Sequence, residues 1–162
     1  NSITKEELEV LLRVPVIVVL PPICSDRVPE GSIMENGESL TVKGIEVRAV
    51  PAYNLVHKRD DGKPYHPKGI GNGYILTFGD KRVYVAGDTE NLPEIKALKG
   101  IDCAFLPMNV PPTMSPEMVA DVAKAMRPKI LYPYHYGTTD PTKLTALLKD
   151  TQGIEVRIRQ LR

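Results

Sequence analysis

From Arg82 to the C-terminus, apolar runs of strand character alternate with segments of helical periodicity, and few architectures accept that order. "RVYVA" (Arg82 to Ala86) is followed by a helical pattern over Asn91 to Leu98, with Pro93 near its first turn and Gly100 as its stop. "DCAFLP" reads as the next strand. Ser115-Pro116-Glu117 then opens a helix carrying Val119, Val122, Ala123 and Met126 on one face, and Pro128 ends it. "KILYPY" is a further strand, after which Asp140-Pro141 caps a helix with Leu144, Leu147 and Leu148 that Gly153 stops. "IEVRIRQL" closes the chain with alternating apolar residues.

The first half has a different character. Thr4-Lys5-Glu6-Glu7 is a capping-box start, with Leu8, Leu11 and Leu12 following at helical spacing. "VIVVL" (Val16 to Leu20) is a β-branched run suited to a strand buried on both faces. "SLTVKGIEVRAV" predicts two strands turning at Lys43-Gly44, and "NGYILTFGDKRVYVA" a hairpin turning at Gly79-Asp80. Between them, Pro51 to Gly73 is a long polar connection rich in Gly, Pro and Lys; such loops in compact domains are usually functional or disordered. β-rich first and strand–helix alternating afterwards, the order predicts mixed α/β (α+β) layering in a single domain over residues 1–162.

Composition narrows the function classes. A net charge of +1 removes the electrostatic argument for nucleic acid or an anionic membrane surface. Trp is absent and aromatics make up 6 %, which leaves no base-stacking platform. No apolar run approaches the roughly 20 residues a membrane helix needs, and the N-terminus lacks a basic-then-apolar leader. Cys24 and Cys103 have no nearby Cys or His partners, and read as reduced, buried side chains in a cytoplasmic protein.

Polar residues just beyond the ends of buried strands are where α/β folds place their chemistry. Asn54 (after "IEVRAVP"), Asp88 (after "RVYVA") and His135 (after "KILYPY") have that placement. Asp88 has two readings. It could cap the following helix, as could Thr89 or Asn91, or it could present a carboxylate for catalysis or metal binding, since Asp-Thr-Glu is more acidic than one cap requires. His57, before Lys58-Arg59-Asp60-Asp61, reads as a solvated turn. His66, stiffened by Pro67 and near glycines, has a better setting. His66, Asp88 and His135 would supply three N/O ligands, the minimum for an open catalytic zinc-type site. "GIGNG" lacks the context of a dinucleotide loop, no Gly-x-Ser-x-Gly is present, and Cys103 has no electropositive setting for a nucleophile.

Taken in order, "VKGIEVRAVPAYN", "HPKGIGNGYILTFGDKRVYVAGDTE", "DCAFLPMN" and "KILYPYHYG" resemble the metallo-β-lactamase superfamily of metal-dependent hydrolases, in its lactonase-like and phospholipase-like branch. The resemblance implies an αββα sandwich with two metals at one edge. Asp88 would be the bridging, catalytic aspartate and His135 a late-strand metal ligand. Asn54 occupies the position of an earlier histidine, for which His66 would substitute from the loop. Asn54, Lys68 and Tyr136 (or Tyr134) would orient a small-molecule substrate or stabilise its charge. The implied cofactor is a divalent metal, zinc first, with manganese, iron or nickel as alternatives. It would activate water against an ester, lactone, amide or phosphodiester. The family's His-x-His-x-Asp-His element has no match in the sequence. The expectation is a sandwich incomplete at its N-terminus, with an exposed sheet edge that promotes self-association. The alternative is a non-catalytic binding or assembly domain that keeps the fold without the metal site.

Overall fold

The computed structural model describes residues 16–161. The capping-box helix expected over residues 4–12 lies outside them. Seven strands form one sheet in sequence order: β3 (Ser39–Val42), β4 (Ile45–Ala52), β5 (Gly71–Phe78), β6 (Lys81–Val85), β7 (Cys103–Pro107), β8 (Ile130–Tyr134) and β9 (Glu155–Val156). β3 to β6 pair antiparallel, and β6 to β9 pair parallel. The switch follows from the connections. Lys43-Gly44, with φ of 50° and 81°, is a two-residue hairpin turn with both centres left-handed. Gly79-Asp80 makes the next short turn, with Gly79 at φ 59°.

After β6 each connection carries a helix, as parallel crossovers require. These are α1 (Pro93–Lys96), α2 (Pro116–Met126) and α3 (Thr142–Leu148). The Ser115 side chain accepts from the Met118 N–H to start α2, and left-handed Arg127 ends it before Pro128. The expected stripe is the buried one: Val119, Val122 and Ala123 are 0 % exposed and Met126 2 %. It packs with Leu92, Ile95 and Leu144 on Tyr84, Ala104, Leu106 and Leu131, so all three helices share one core on one sheet face. Each Val, Leu, Ile or Met side chain among them contributes about 1.5–3 kcal/mol by leaving water.

The opposite face is covered differently. A separate parallel pair, β1 (Val19–Leu20) and β2 (Ser32–Ile33), helps enclose Met34, Val47 and Ala49, with Leu40, Val42, Ile45, Tyr74 and Leu76 around them. Farther along that face Val83, Val85, Cys103, Phe105 and Tyr132 are only half-buried, and the Phe105 and Tyr132 rings stack at 4.9 Å. Burial pushes the Cys103 thiol up, and both cysteines are free.

Three expected elements are shorter than their patterns. Within "VIVVL" only Val19–Leu20 is strand; Val16 and Ile17 are 44 % and 47 % exposed rather than buried on both faces. The helix expected over Asn91 to Leu98 is confined to Pro93–Lys96, because the Asn91 amide bonds Asp121 at 2.8 Å instead of capping. "IEVRIRQL" pairs only through Glu155–Val156. Among the described residues, no helix is long and apolar enough to cross a membrane.

Candidate metal centre

The topology gathers one edge. β4, β6 and β8 run in the same direction, so their C-terminal ends, at Ala52, Val85 and Tyr134, lie on one side of the sheet. Asn54, Asp88 and His135 follow within a few residues of those ends. The β4–β5 connection, residues 53–70, starts and finishes at the same edge and carries His66.

Asp88 does not cap the helix after it. The N-cap of α1 is Leu92, which makes no side-chain cap bond. The two oxygens of Asp88 instead face two imidazoles, with Oδ1 at 3.0 Å from His135 Nδ1 and Oδ2 at 3.4 Å from His66 Nε2. Burial pushes the Asp88 carboxyl up, but the contacts and charge of His66 and His135, when those rings are protonated, outweigh it and hold it below the ordinary value. His135 is itself held left-handed, at φ 49°, with its N–H donating to the Leu161 carbonyl at 2.7 Å. Non-glycine residues held in that conformation cluster at functional sites.

His66 is oriented from behind. Its ring Nδ1 and its backbone N–H each lie 2.8 Å from Asn54 Oδ1. The Asn54 amide nitrogen donates to Glu90 Oε1 at 2.9 Å and to the Pro112 carbonyl at 3.1 Å. Asn54 is 7 % exposed and its polar groups are spent on these partners. The structure therefore corrects its expected substrate contact: Asn54 supports His66 from within the protein.

Glu90, fully buried, is the residue sequence reasoning missed. Its Oε2 accepts from the Leu55 and Val56 N–H groups at 2.7 Å, and its Oε1 from the His57 N–H at 2.7 Å. Burial pushes its carboxyl up, yet the Asn54 bond and the three backbone donors together hold it below the ordinary value. His57 Nδ1 sits 2.8 Å from Glu90 Oε1, so His57 packs inward rather than in a solvated turn. Thr89 reinforces the join, its Oγ1 3.2 Å from both the N–H and the carbonyl of Tyr53. The acidity of Asp-Thr-Glu beyond the needs of a cap was the available signal.

The expected substrate-side residues divide. The Tyr136 hydroxyl donates to the Arg159 carbonyl and the side chain is 4 % exposed, which turns it away from any substrate. Tyr134 is the tyrosine beside Asp88: burial, and then the Asp88 charge, push its hydroxyl up and keep it protonated. Lys68 is outward-facing, 3.7 Å from Glu94 and 5.0 Å above the Tyr53 ring.

Two imidazoles on a shared carboxylate are the right donor chemistry for one side of a metal centre. Here they contact the carboxylate itself, and among the described residues no group of three or more His, Cys, Asp or Glu is arranged to hold an ion. Of those donors, His66, Asp88 and His135 meet one another at this edge, and His57 and Glu90 form a second contact beside them.

Comparison with known proteins gives the family and the fold. Residues 6–135 match the family described as the beta-lactamase superfamily domain. A UPF0173 metal-dependent hydrolase of Symbiobacterium thermophilum is 31 % identical over 140 residues, covering 78 % of this chain and 60 % of its own length. The chain thus spans less than two thirds of that relative. The crystal structure of a protein named as a metal-dependent hydrolase from Parabacteroides distasonis superposes with a TM-score of 0.90 at 43 % identity. That match covers 98 % of this chain and 71 % of the other. Igni18, a metallo hydrolase from Ignicoccus hospitalis, shares the fold at 23 % identity, with a TM-score of 0.77. With its mixed sheet, its strand-end Asp88 and His135, and these matches, the chain belongs to the metallo-β-lactamase superfamily.

Proposed function

We propose that this chain contributes Asp88, His66 and His135 to the divalent-metal centre of a hydrolase acting on a small-molecule ester, lactone, amide or phosphodiester. The observation that carries this is the division of one carboxylate between two imidazoles, Oδ1 toward His135 and Oδ2 toward His66. Asp88 would hold the metal together with His66 and His135. His and Asp donors favour zinc, with manganese, iron or nickel accepted by the same set. When bound, the metal supplies Lewis-acid activation of water for attack on a carbonyl or phosphoryl carbon or phosphorus. The protein's part is to fix the donors, with Asn54 holding His66 and the Leu161 carbonyl holding the His135 backbone. The Tyr134 hydroxyl, kept protonated beside Asp88, would donate to a substrate oxygen. The family's further donors belong to its His-x-His-x-Asp-His element, which has no match in these 162 residues. The free cysteines support a reduced, cytoplasmic setting.

Metal content by elemental analysis tests the site. Zinc affinity should fall at least tenfold in Asp88→Ala and about as much in His135→Ala, since each removes a direct donor. Equal metal content in wild type and both variants would remove the site and leave a non-catalytic binding or assembly domain.

A second expectation concerns assembly. The half-buried face around Phe105 and Tyr132, together with edge strand β3, invites association of these 162 residues with a second copy. Size-exclusion chromatography should show a dimer or larger species whose share grows with concentration. Elution as a monomer at all concentrations would refute it.

A further inference from the structure

We propose that Glu90 is a positioning residue for His66, acting through Asn54 to fix which ring nitrogen faces Asp88. This rests on the assignment of His66 and Asp88 to a metal centre.

The hydrogen-bond chain admits one direction. Glu90 accepts three backbone N–H groups on its two oxygens, which requires an acceptor at both positions. Asn54 meets Glu90 Oε1 and the Pro112 carbonyl on one side of its amide, both acceptors, so that side is the NH2. The other side is then Oδ1, an acceptor, and it faces the His66 N–H and His66 Nδ1, both at 2.8 Å. A neutral imidazole next to an acceptor must carry its proton there, so Nδ1 is protonated and Nε2 keeps its lone pair.

That lone pair points at Asp88 Oδ2 across 3.4 Å, longer than an ordinary N–H···O bond. A lone pair opposite a carboxylate is a repulsive pairing that a cation or a proton between them relieves. Glu90 thus presents His66 in the tautomer a metal ligand needs, although it touches neither Asp88 nor any reacting atom. Its second effect is mechanical. By gathering the N–H groups of Leu55, Val56 and His57 it fixes the start of the connection that ends at His66. The Asn54 N–H bond to the His66 carbonyl, 2.9 Å, closes that loop on itself.

The test uses the 162-residue chain with 15N-labelled histidine, metal-free and at a pH where the rings are neutral. The sequence holds three histidines, so single substitutions assign every ring signal. In wild type His66 should show the Nδ1-protonated tautomer. Asn54→Ala removes the acceptor, and Glu90→Gln turns an NH2 toward backbone donors. Both should move His66 toward the Nε2-protonated form and weaken zinc binding about 10–100-fold, the usual effect of losing such a partner. An Nε2-protonated His66 in wild type would overturn the proposal. So would an unchanged tautomer in folded Asn54→Ala, which leaves the backbone bonds to Glu90 in place and decides the matter if Glu90→Gln does not fold. A wild-type chain that takes up no zinc would instead refute the metal-centre assignment, while the tautomer result would still stand or fall alone.

Discussion

Glu90→Ala is expected to lower folding stability by about 3 kcal/mol, more than any exposed charge in the chain. The fully buried carboxylate accepts the backbone N–H groups of Leu55, Val56 and His57, all at 2.7 Å, and the Asn54 amide at 2.9 Å. A hydrogen bond to a charged group contributes about 1.5–3 kcal/mol, and a buried donor left without an acceptor costs about 1–3 kcal/mol. The full sum is not reached, because Leu55 and Val56 are 51 % and 67 % exposed and their amides can recover water. Asp61→Ala provides the contrast. Its carboxylate lies 3.4 Å from the Lys63 ammonium and accepts the Lys63 backbone N–H at 3.0 Å, all of it exposed and together worth about 1 kcal/mol. Urea denaturation separates the two through the midpoint shift at constant slope. Equal shifts in both variants would mean that Glu90 does not anchor the connection.

The residues that sequence reasoning found and those it missed differ in the range of the interactions that define them. Hairpin turns, the α2 stripe and the strands "DCAFLP" and "KILYPY" follow from local periodicity and turn chemistry, and they form where the pattern puts them. Asp88 and His135 were legible because strand ends are marked in sequence and the sheet brings them to one edge. The Glu90 hub was not, because its partners lie 33 to 36 residues away and are mostly backbone N–H groups, which every sequence has. The same long-range pairing reversed two expectations. His57 looks solvated from its charged neighbours and is drawn in by Glu90; Tyr136 looks like a site residue from its neighbour His135 and is buried against Arg159. The short α1 has a similar cause, since Thr89 and Asn91 bond across the fold rather than capping.

Gly87→Ala should be the most damaging single-methyl change at the site, costing about 3–5 kcal/mol and displacing Asp88. Gly87 sits at φ 66°, where a side chain costs about 1–2 kcal/mol from local sterics alone. The greater part of the cost is contact. A Cβ there would lie 2.5 Å from the Asn72 carbonyl oxygen and 3.3 Å from its carbon, and these are backbone atoms of β5. Asn72 is held in the ladder opposite Pro51, so the strand cannot yield without disturbing β4 as well. The chain must move instead, and the next residue along it is Asp88. Gly44→Ala isolates the local term. Gly44 is also left-handed, at φ 81°, but nothing lies within 4 Å of its added Cβ. Gly44→Ala should cost about 1–2 kcal/mol and leave zinc binding unchanged, whereas Gly87→Ala should lose both stability and zinc. Equal costs in the two variants would show that β5 gives way freely, and that the close approach of Gly87 to Asn72 does not hold Asp88 in place.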